Sequence, residues 1–463
     1  MVNEIDNLFA FILGREQKIA RLELESVLRH FDICFDVLSL AGNVALINIE
    51  RGDDCLKNDI MSLLGGTMEI FKIIAIAERL DPDSVYSQIS SLSQGGKGRV
   101  TFGISDYSKS FAEDKINALG LEVKKKLKET GSSRFVALRG DSRLSAAAII
   151  SNRLDRDGIL LGIFSDDNRY LFGKLVGVSD PSDWSRRDFG KPKSDKFAGM
   201  TPPKLARMMV NITLGQCEGI SNYKLQMSND ISNDKNKKIR NLELEIRNYN
   251  DFVVLDPFCG SGNILLEAAV LGCQIIGSDI SEKAVNNTVA NLNWLKSQTY
   301  NSKLKTCEST MKQLNNETMI FQTDATKFDF SSVLGVNPNQ ANEATSYKLI
   351  VTEPYLGQPK KFEPSINAVK GEYEKVKKLY LDFLENVCRI GHKISAIAIV
   401  FPLVETVEGK RYSLFDQIID KIKEMGYTLC CEPLVYGREY QVVKREIIFL
   451  STAQKKDTSC KKQ

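Results

Sequence analysis

The chain has 463 residues, 43% of them apolar and 26% charged, the balance of a folded protein too long for one ordinary core. Its 62 basic and 59 acidic side chains leave a net charge of +3, so no partner is identified by global charge and any nucleic-acid surface must be local. Ten cysteines without a C-x-x-C pair and only two histidines, His30 and His392, argue against a zinc centre or a disulfide framework and for a reducing compartment. The first residues carry no basic n-region, and the longest apolar stretch, "ISAIAIVFPLV" at 394–404, is too short to span a bilayer. These features predict a cytoplasmic protein with neither membrane nor metal.

From the start, "LFAFIL" (8–13) suits a strand and "EQKIARLELESVLRHF" (16–31) an amphipathic helix. A strand over 43–50, a helix over 52–64 and a strand near "MEIFKIIAIAE" complete a small α+β unit across 1–80. A second unit, 81–180, has strands at "RVTFGISDYS" and "RFVALRG", helices over 111–129 and 142–154, and a closing hairpin. Lys124, Lys125, Lys126 and Lys128 cluster on the first of these helices, where a lysine-rich end is normally a solvated face favoured by the helix dipole.

Residues 181–200 read as a basic linker leading into "TPPKLARMMVNIT". Here Thr201 is placed to cap a helix and Pro202 to occupy its first turn. Over 181–210 seven basic residues, including Arg186, Arg187, Lys191 and Lys193, face three aspartates. A polar Asn/Lys-rich insertion occupies 225–250. Beyond it "FVVLD" (252–256), "QIIGSD" (274–279), "IFQTDA" (320–325), "KLIVTE" (348–353) and "AIAIVFP" (396–402) are short buried-type strands, several separated by helices. This pattern predicts a doubly wound α/β domain over 201–455.

Three of these strands end in an acid: Asp256, Asp279 and Asp324. The first is followed by the tight turn Gly260-Ser261-Gly262. Small residues let a ligand approach the start of the next helix, where N–H groups are unpaired. A second-strand acid can accept both hydroxyls of a ribose, and ligands of open α/β sheets bind at this edge. Leu265 stands where a dinucleotide fingerprint would have its third glycine. The constellation points to an adenosine-bearing cofactor. Cys259, inside the turn, reads as a packing residue.

The stretches "DPFCGSGNILLEAA", "GSDIS", "TDAT" and "TEPYLG" resemble the cofactor and target motifs of S-adenosylmethionine-dependent amino-methyltransferases. With the bridge "RRDFGKPKSDKFAGMTPPKLARMMVN" and the opening "FILGREQKIARLELESVL", the chain is similar to the tRNA guanine-N2 methyltransferases that carry ferredoxin-like and THUMP domains. The resemblance implies a Rossmann-like class I methyltransferase domain behind a ferredoxin-like domain (1–80) and a THUMP-like RNA-binding domain (81–180). S-adenosylmethionine is the implied cofactor, with Asp256, Phe258, Gly260, Gly262, Asp279, Ile280, Asp324, Ala325, Met200 and Pro202 around it. Transfer to the N2 of a guanosine in tRNA, G10 by family analogy, is the implied reaction. Arg186, Arg187, Lys191, Lys193, Lys124 and Lys125 would meet tRNA phosphates, and a small activating partner protein accompanies some relatives.

Glu353, Pro354 and Tyr355 are the expected catalytic group. A nucleobase amine is a poor nucleophile because its lone pair is delocalised into the ring. An enzyme must therefore accept its N–H bonds and align the nitrogen with the methyl, while an aromatic stacks on the base. The family's usual D/N-P-P-Y is here T-E-P-Y, with a longer acid and one proline. Methylation of another amine (adenine N6 or a ribosomal guanine N2) and a catalytically silent module that binds cofactor and RNA are the alternatives.

Overall fold

The computed structural model describes residues 5–31, 33–50, 60–93, 99–166, 169–194, 200–226, 249–301, 319–335, 347–390 and 394–452. Two compact units emerge: Met1–Leu28 with Asp32–Arg186, and Arg29–Phe31 with Arg187–Gln463.

The first unit is built on one sheet. Its strands are β1 (Leu8–Leu13), β2 (Phe35–Ala41), β3 (Val44–Ile49), β4 (Thr67–Ala77), β5 (Val100–Asp106), β6 (Ser133–Val136), β7 (Ile159–Asp166) and β8 (Arg169–Val178). They lie in the order β2-β3-β1-β4-β8-β7-β5-β6. β1, central and apolar at all six positions, is buried throughout. β4 pairs with β8 from Glu69 to Ala77, so the sheet runs through both expected N-terminal modules without a break at residue 80. The helix Glu113–Thr130 packs so closely that a Cβ on Gly120 would meet the Phe135 ring at 2.1 Å. The expectations missed β2, whose residues are exposed or half-buried, and the helix Pro82–Ser93.

The second unit holds the doubly wound sheet. Its strands are β9 (Phe252–Asp256), β10 (Gln274–Asp279), β11 (Met319–Gln322), β12 (Tyr347–Thr352), β13 (Ala396–Glu405), β14 (Arg411–Ser413), β15 (Tyr427–Leu429), β16 (Leu434–Tyr436) and β17 (Val443–Thr452). The order is β11-β10-β9-β12-β13-β17-β15, with β14 on β13 and β16 on β17. The first five are parallel, and β17 runs antiparallel to β13 and to β16, with which it forms the last hairpin. β10 lies on one side of β9 and β12 on the other. The winding direction therefore reverses between β9 and β12, which opens a crevice at the carboxyl ends of these strands. One face is covered by the helix Ile366–Ile390, whose Val369, Tyr373, Val376, Tyr380, Phe383 and Val387 recur at helical spacing and are buried.

The bridge corrects two expectations. Pro181–Phe189 is a helix, not a linker. The helix Pro203–Gln226 begins one residue past Pro202, and the Thr201 hydroxyl reaches Glu353 instead of capping it. The 225–250 insertion lies almost wholly outside the described residues, as does His392.

Candidate active site

The cleft at the reversal is lined by Met200, Thr201, Asp256, Phe258, Cys259, Gly260, Ser261, Asn263, Ile264, Asp279, Ser281, Lys283, Ala284, Asn287 and Glu353. Of the sequence-predicted residues it brings together Met200, Asp256, Phe258, Gly260, Asp279 and Glu353. Each arrives from its own element: Asp256 ends β9, Asp279 ends β10, and Glu353 follows β12.

The loop between β9 and the helix Asn263–Leu271 supplies the floor. Gly260 and Gly262 adopt left-handed backbone conformations (φ +54° and +82°) that other residues rarely tolerate. No atom lies within 4 Å of where a Cβ on Gly260 would stand, whereas one on Gly262 would meet Thr288 at 2.9 Å. The first glycine thus opens the cleft and the second lets the loop pack on the helix Glu282–Asn301.

Asp279 is held from two loops: the Gly260 N–H of the glycine turn donates to Oδ2 (3.0 Å) and the Ser281 N–H to Oδ1 (2.9 Å). Each oxygen keeps a further acceptor position, which suits a pair of hydroxyls. Asp256 is fully buried, and its Oδ1 accepts from the Thr352 hydroxyl (2.6 Å) and the Phe258 N–H (3.2 Å). Burial pushes its carboxyl up to about 7, with Asp279 and Glu353 adding to the rise and the two hydrogen bonds opposing it. A cationic ligand in the cleft would relieve that strain. The open Gly260 backbone, the anchored Asp279 and the buried Asp256 fit S-adenosylmethionine, which offers a ribose diol and two positive charges. Burial likewise raises the Cys259 thiol, which agrees with a packing role.

Glu353 is the least expected part. Arg445 of β17 binds it by both oxygens, Nε to Oε2 at 2.6 Å and Nη2 to Oε1 at 2.9 Å, while the Thr201 hydroxyl donates to Oε2 at 2.9 Å. Arg445 Nη2 also donates to the Met200 carbonyl (3.2 Å). Pro354 is buried and Tyr355 is 47% exposed, on a loop held by the Tyr373 hydroxyl through the Leu356 carbonyl (2.7 Å).

The bridge is fastened to the same loop. Lys191 donates to the Asn263 side chain, whose amide donates to the Thr201 carbonyl (2.6 Å). The Asn291 amide bonds the Lys193 and Ser261 carbonyls at 2.9 and 2.8 Å. Arg187 donates to Glu267 Oε1 (2.7 Å), and Arg207 donates to Oε2 through Nη2 (2.6 Å) and Nε (3.0 Å), all three side chains being buried. This corrects the phosphate role expected of Arg187 and Lys191. Both cations lie inside the fold, and burial pulls the Lys191 ammonium below its ordinary value. Arg186, Lys193 and Lys125 are exposed and Lys124 is half-buried.

Asp324, Ala325, Ile280 and Pro202 do not line the cleft. β11 stops at Gln322, so Asp324 lies beyond the strand and closes a turn, accepting from the Thr326 N–H and hydroxyl at 3.0 and 2.6 Å. Those bonds, the hydroxyl's first, lower its carboxyl. Ala325 is buried, with its carbonyl accepting from the Asn386 amide (3.0 Å), and Ile280 is 68% exposed beside Asp279. Sequence reasoning missed Arg445, Thr352 and Lys283; the run "VVKRE" in the last hairpin was the available signal for the first. Among the described residues no acidic, histidine and cysteine cluster could hold a metal, and no helix is long and apolar enough to cross a membrane.

Comparison with known proteins agrees with this geometry. Residues 247–409 match the UPF0020 family, described as an RMKL-like methyltransferase domain. A tRNA (guanine(10)-N2)-dimethyltransferase of Methanocaldococcus jannaschii is 26% identical over 190 residues, 40% of this chain and 42% of that protein. One of Methanothermobacter thermautotrophicus is 49% identical over 130 residues, 27% of each chain. The chain thus spans less than half the length of the curated relatives it matches. TrmN from Thermus thermophilus aligns over 96% of this chain and all of its own, at 13% identity and a TM-score of 0.45. The expectation of S-adenosylmethionine as cofactor agrees with the family match. The glycine turn and the three cleft acids, Asp256, Asp279 and Glu353, all fall within the matched segment 247–409.

Proposed function

We propose that the protein transfers a methyl group from S-adenosylmethionine to the exocyclic N2 of a guanosine in tRNA, with position 10 as the target. The observation that carries this reading is the meeting of Asp256, Asp279 and Glu353 over an open glycine backbone at the reversal of a parallel sheet. The names of the curated relatives supply the base and the RNA.

When bound, the cofactor supplies a methyl on a sulfonium, ready for in-line attack by a nitrogen. Asp279 would take the ribose hydroxyls, Asp256 would face the cationic portion, and the exposed Ile280 and turn-closing Asp324 would border the adenine. Glu353 would accept one N–H of the target amine and restore electron density to its nitrogen. The exposed Tyr355 ring would stack on the base after it leaves its helix. Arg186, Lys193, Lys124 and Lys125 would neutralise phosphates, and residues 1–180 would supply the ferredoxin-like and THUMP-like RNA grip.

Incubation with unmodified tRNA and labelled S-adenosylmethionine, followed by nucleoside analysis, tests the proposal. Labelled N2-methylguanosine at position 10 supports it, and labelled N6-methyladenosine overturns it. The same assay on the isolated chain decides whether the activating protein implied by the resemblance is required. The occupation of both Glu353 oxygens by Arg445 favours a second reading, a silent cofactor-binding module. Tight cofactor binding without label in any RNA would establish that reading.

A further inference from the structure

We infer that Arg445 is a positioning residue that fixes the Glu353 carboxylate and leaves it a single open acceptor position, on Oε1. This rests on the methyl-transfer reading above. A carboxylate accepts about four hydrogen bonds. Oε2 already takes two, from Arg445 Nε and the Thr201 hydroxyl, and Oε1 takes one, from Arg445 Nη2. An amine entering the cleft can thus give Glu353 one N–H, not two. Its second N–H must meet another acceptor, so the amine is held in one orientation relative to the carboxylate.

Three observations argue that this pairing is a built device. The pair is nearly closed to water, with side-chain exposures of 12% and 9%, so its geometry is not exchanged for solvation. One guanidinium joins three segments distant in sequence, 200–201, 353 and 445, of which Met200, Thr201 and Glu353 line the cleft. The backbone beneath it is regular: Arg445 sits in register between Pro402 of β13 and Tyr436 of β16, so a strand interior and not a loop aims the side chain. A planar fork binds both carboxylate oxygens at fixed angles, which a lysine ammonium cannot do. Glu353 is one methylene longer than the aspartate its position would otherwise hold, and the arginine restrains that added freedom.

The test compares Arg445→Met and Arg445→Lys with the wild-type full chain. It uses the single-turnover transfer rate with saturating tRNA and cofactor, calorimetric Kd for S-adenosylhomocysteine, and amide hydrogen exchange over 200–206. Arg445→Met should lose about a hundredfold in rate while Kd changes less than about threefold. Arg445→Lys should recover about tenfold of that rate by restoring charge without the fork. Exchange over 200–206 should rise about tenfold in Arg445→Met, because Met200 and Thr201 lose their tie. A rate within threefold of wild type, a Kd loss as large as the rate loss, or a Lys variant no better than Met would overturn the inference. If the wild type transfers no methyl to guanosine, the functional reading fails and exchange decides the anchoring alone, unchanged protection overturning it.

Discussion

Glu267, on the helix Asn263–Leu271, and Glu353, just past β12, each bind arginine through both oxygens, yet their surroundings differ. Glu267 is 1% exposed and shared by Arg187 and Arg207, at 6% and 1%, so its acceptors are spent inside the fold. Glu353 has one arginine and a threonine hydroxyl, lines the cleft, and retains an acceptor position. The closed site holds the bridge down and the open one faces the chemistry. They are also connected: Asn263, one turn before Glu267, bonds the Thr201 carbonyl, and Thr201 bonds Glu353. Rigidity in the first therefore sets geometry in the second.

The largest expected effect breaks the closed site. Glu267→Leu leaves two guanidinium groups buried without their carboxylate, a loss of about 3–5 kcal/mol. The urea midpoint of the catalytic unit should fall accordingly, and cofactor affinity should fall with it. Glu353→Gln is the contrasting change. It keeps the shape and one acceptor oxygen but loses the charge, so the transfer rate should drop about a hundredfold while the urea midpoint moves far less. Equal midpoint losses in the two variants would erase the distinction between them.

Much of this was legible in the chain. The five parallel strands announced themselves as short apolar runs, and Asp256, Asp279 and Glu353 as acids at their exits, because a buried strand has no packing use for a terminal carboxylate. Asp324 has a different setting: its strand ends two residues sooner, and the acid also closes a turn. The pairing of Glu353 with Arg445, 92 residues on, and of Arg187 with Glu267, 80 residues on, could not be read locally. Charge counted along a linker says nothing of which cations find a buried partner. Thus Arg186, exposed, and its neighbour Arg187, buried, look alike in sequence and differ entirely in the fold.

A smaller effect sharpens the electrostatics of the open site. Asp256 titrates near 7 in the folded protein against an ordinary 3.8, so the folded state keeps its proton after the unfolded chain has lost it. Stability of the ligand-free protein from this group should therefore fall as pH rises from about 4 to about 7 and level off above, a slope that Asp256→Asn removes. A cationic ligand that needs the ionised carboxylate must expel that proton. S-adenosylmethionine affinity should then weaken about fivefold from pH 7 to pH 6 and be flat only above about pH 8. Calorimetry in buffers of differing ionisation enthalpy should count nearly one proton released at pH 6. A flat profile would mean that Asp256 binds nothing charged.

The smallest expected effect lies where the buried and exposed cations of the bridge part company. Lys193→Ala removes an exposed ammonium whose backbone, not its side chain, is tied to Asn291. If Lys193 meets a tRNA phosphate, affinity should fall severalfold and the slope of log K against log salt should decrease by about 0.7–0.9, with the transfer rate at saturation unchanged. Lys191→Ala should behave in the opposite way. Its ammonium reaches Asn263 in the cleft wall, so cofactor affinity and stability should suffer while the salt slope stays fixed. A salt slope that changes in Lys191→Ala and not in Lys193→Ala would place the RNA contact on the wrong side of the bridge.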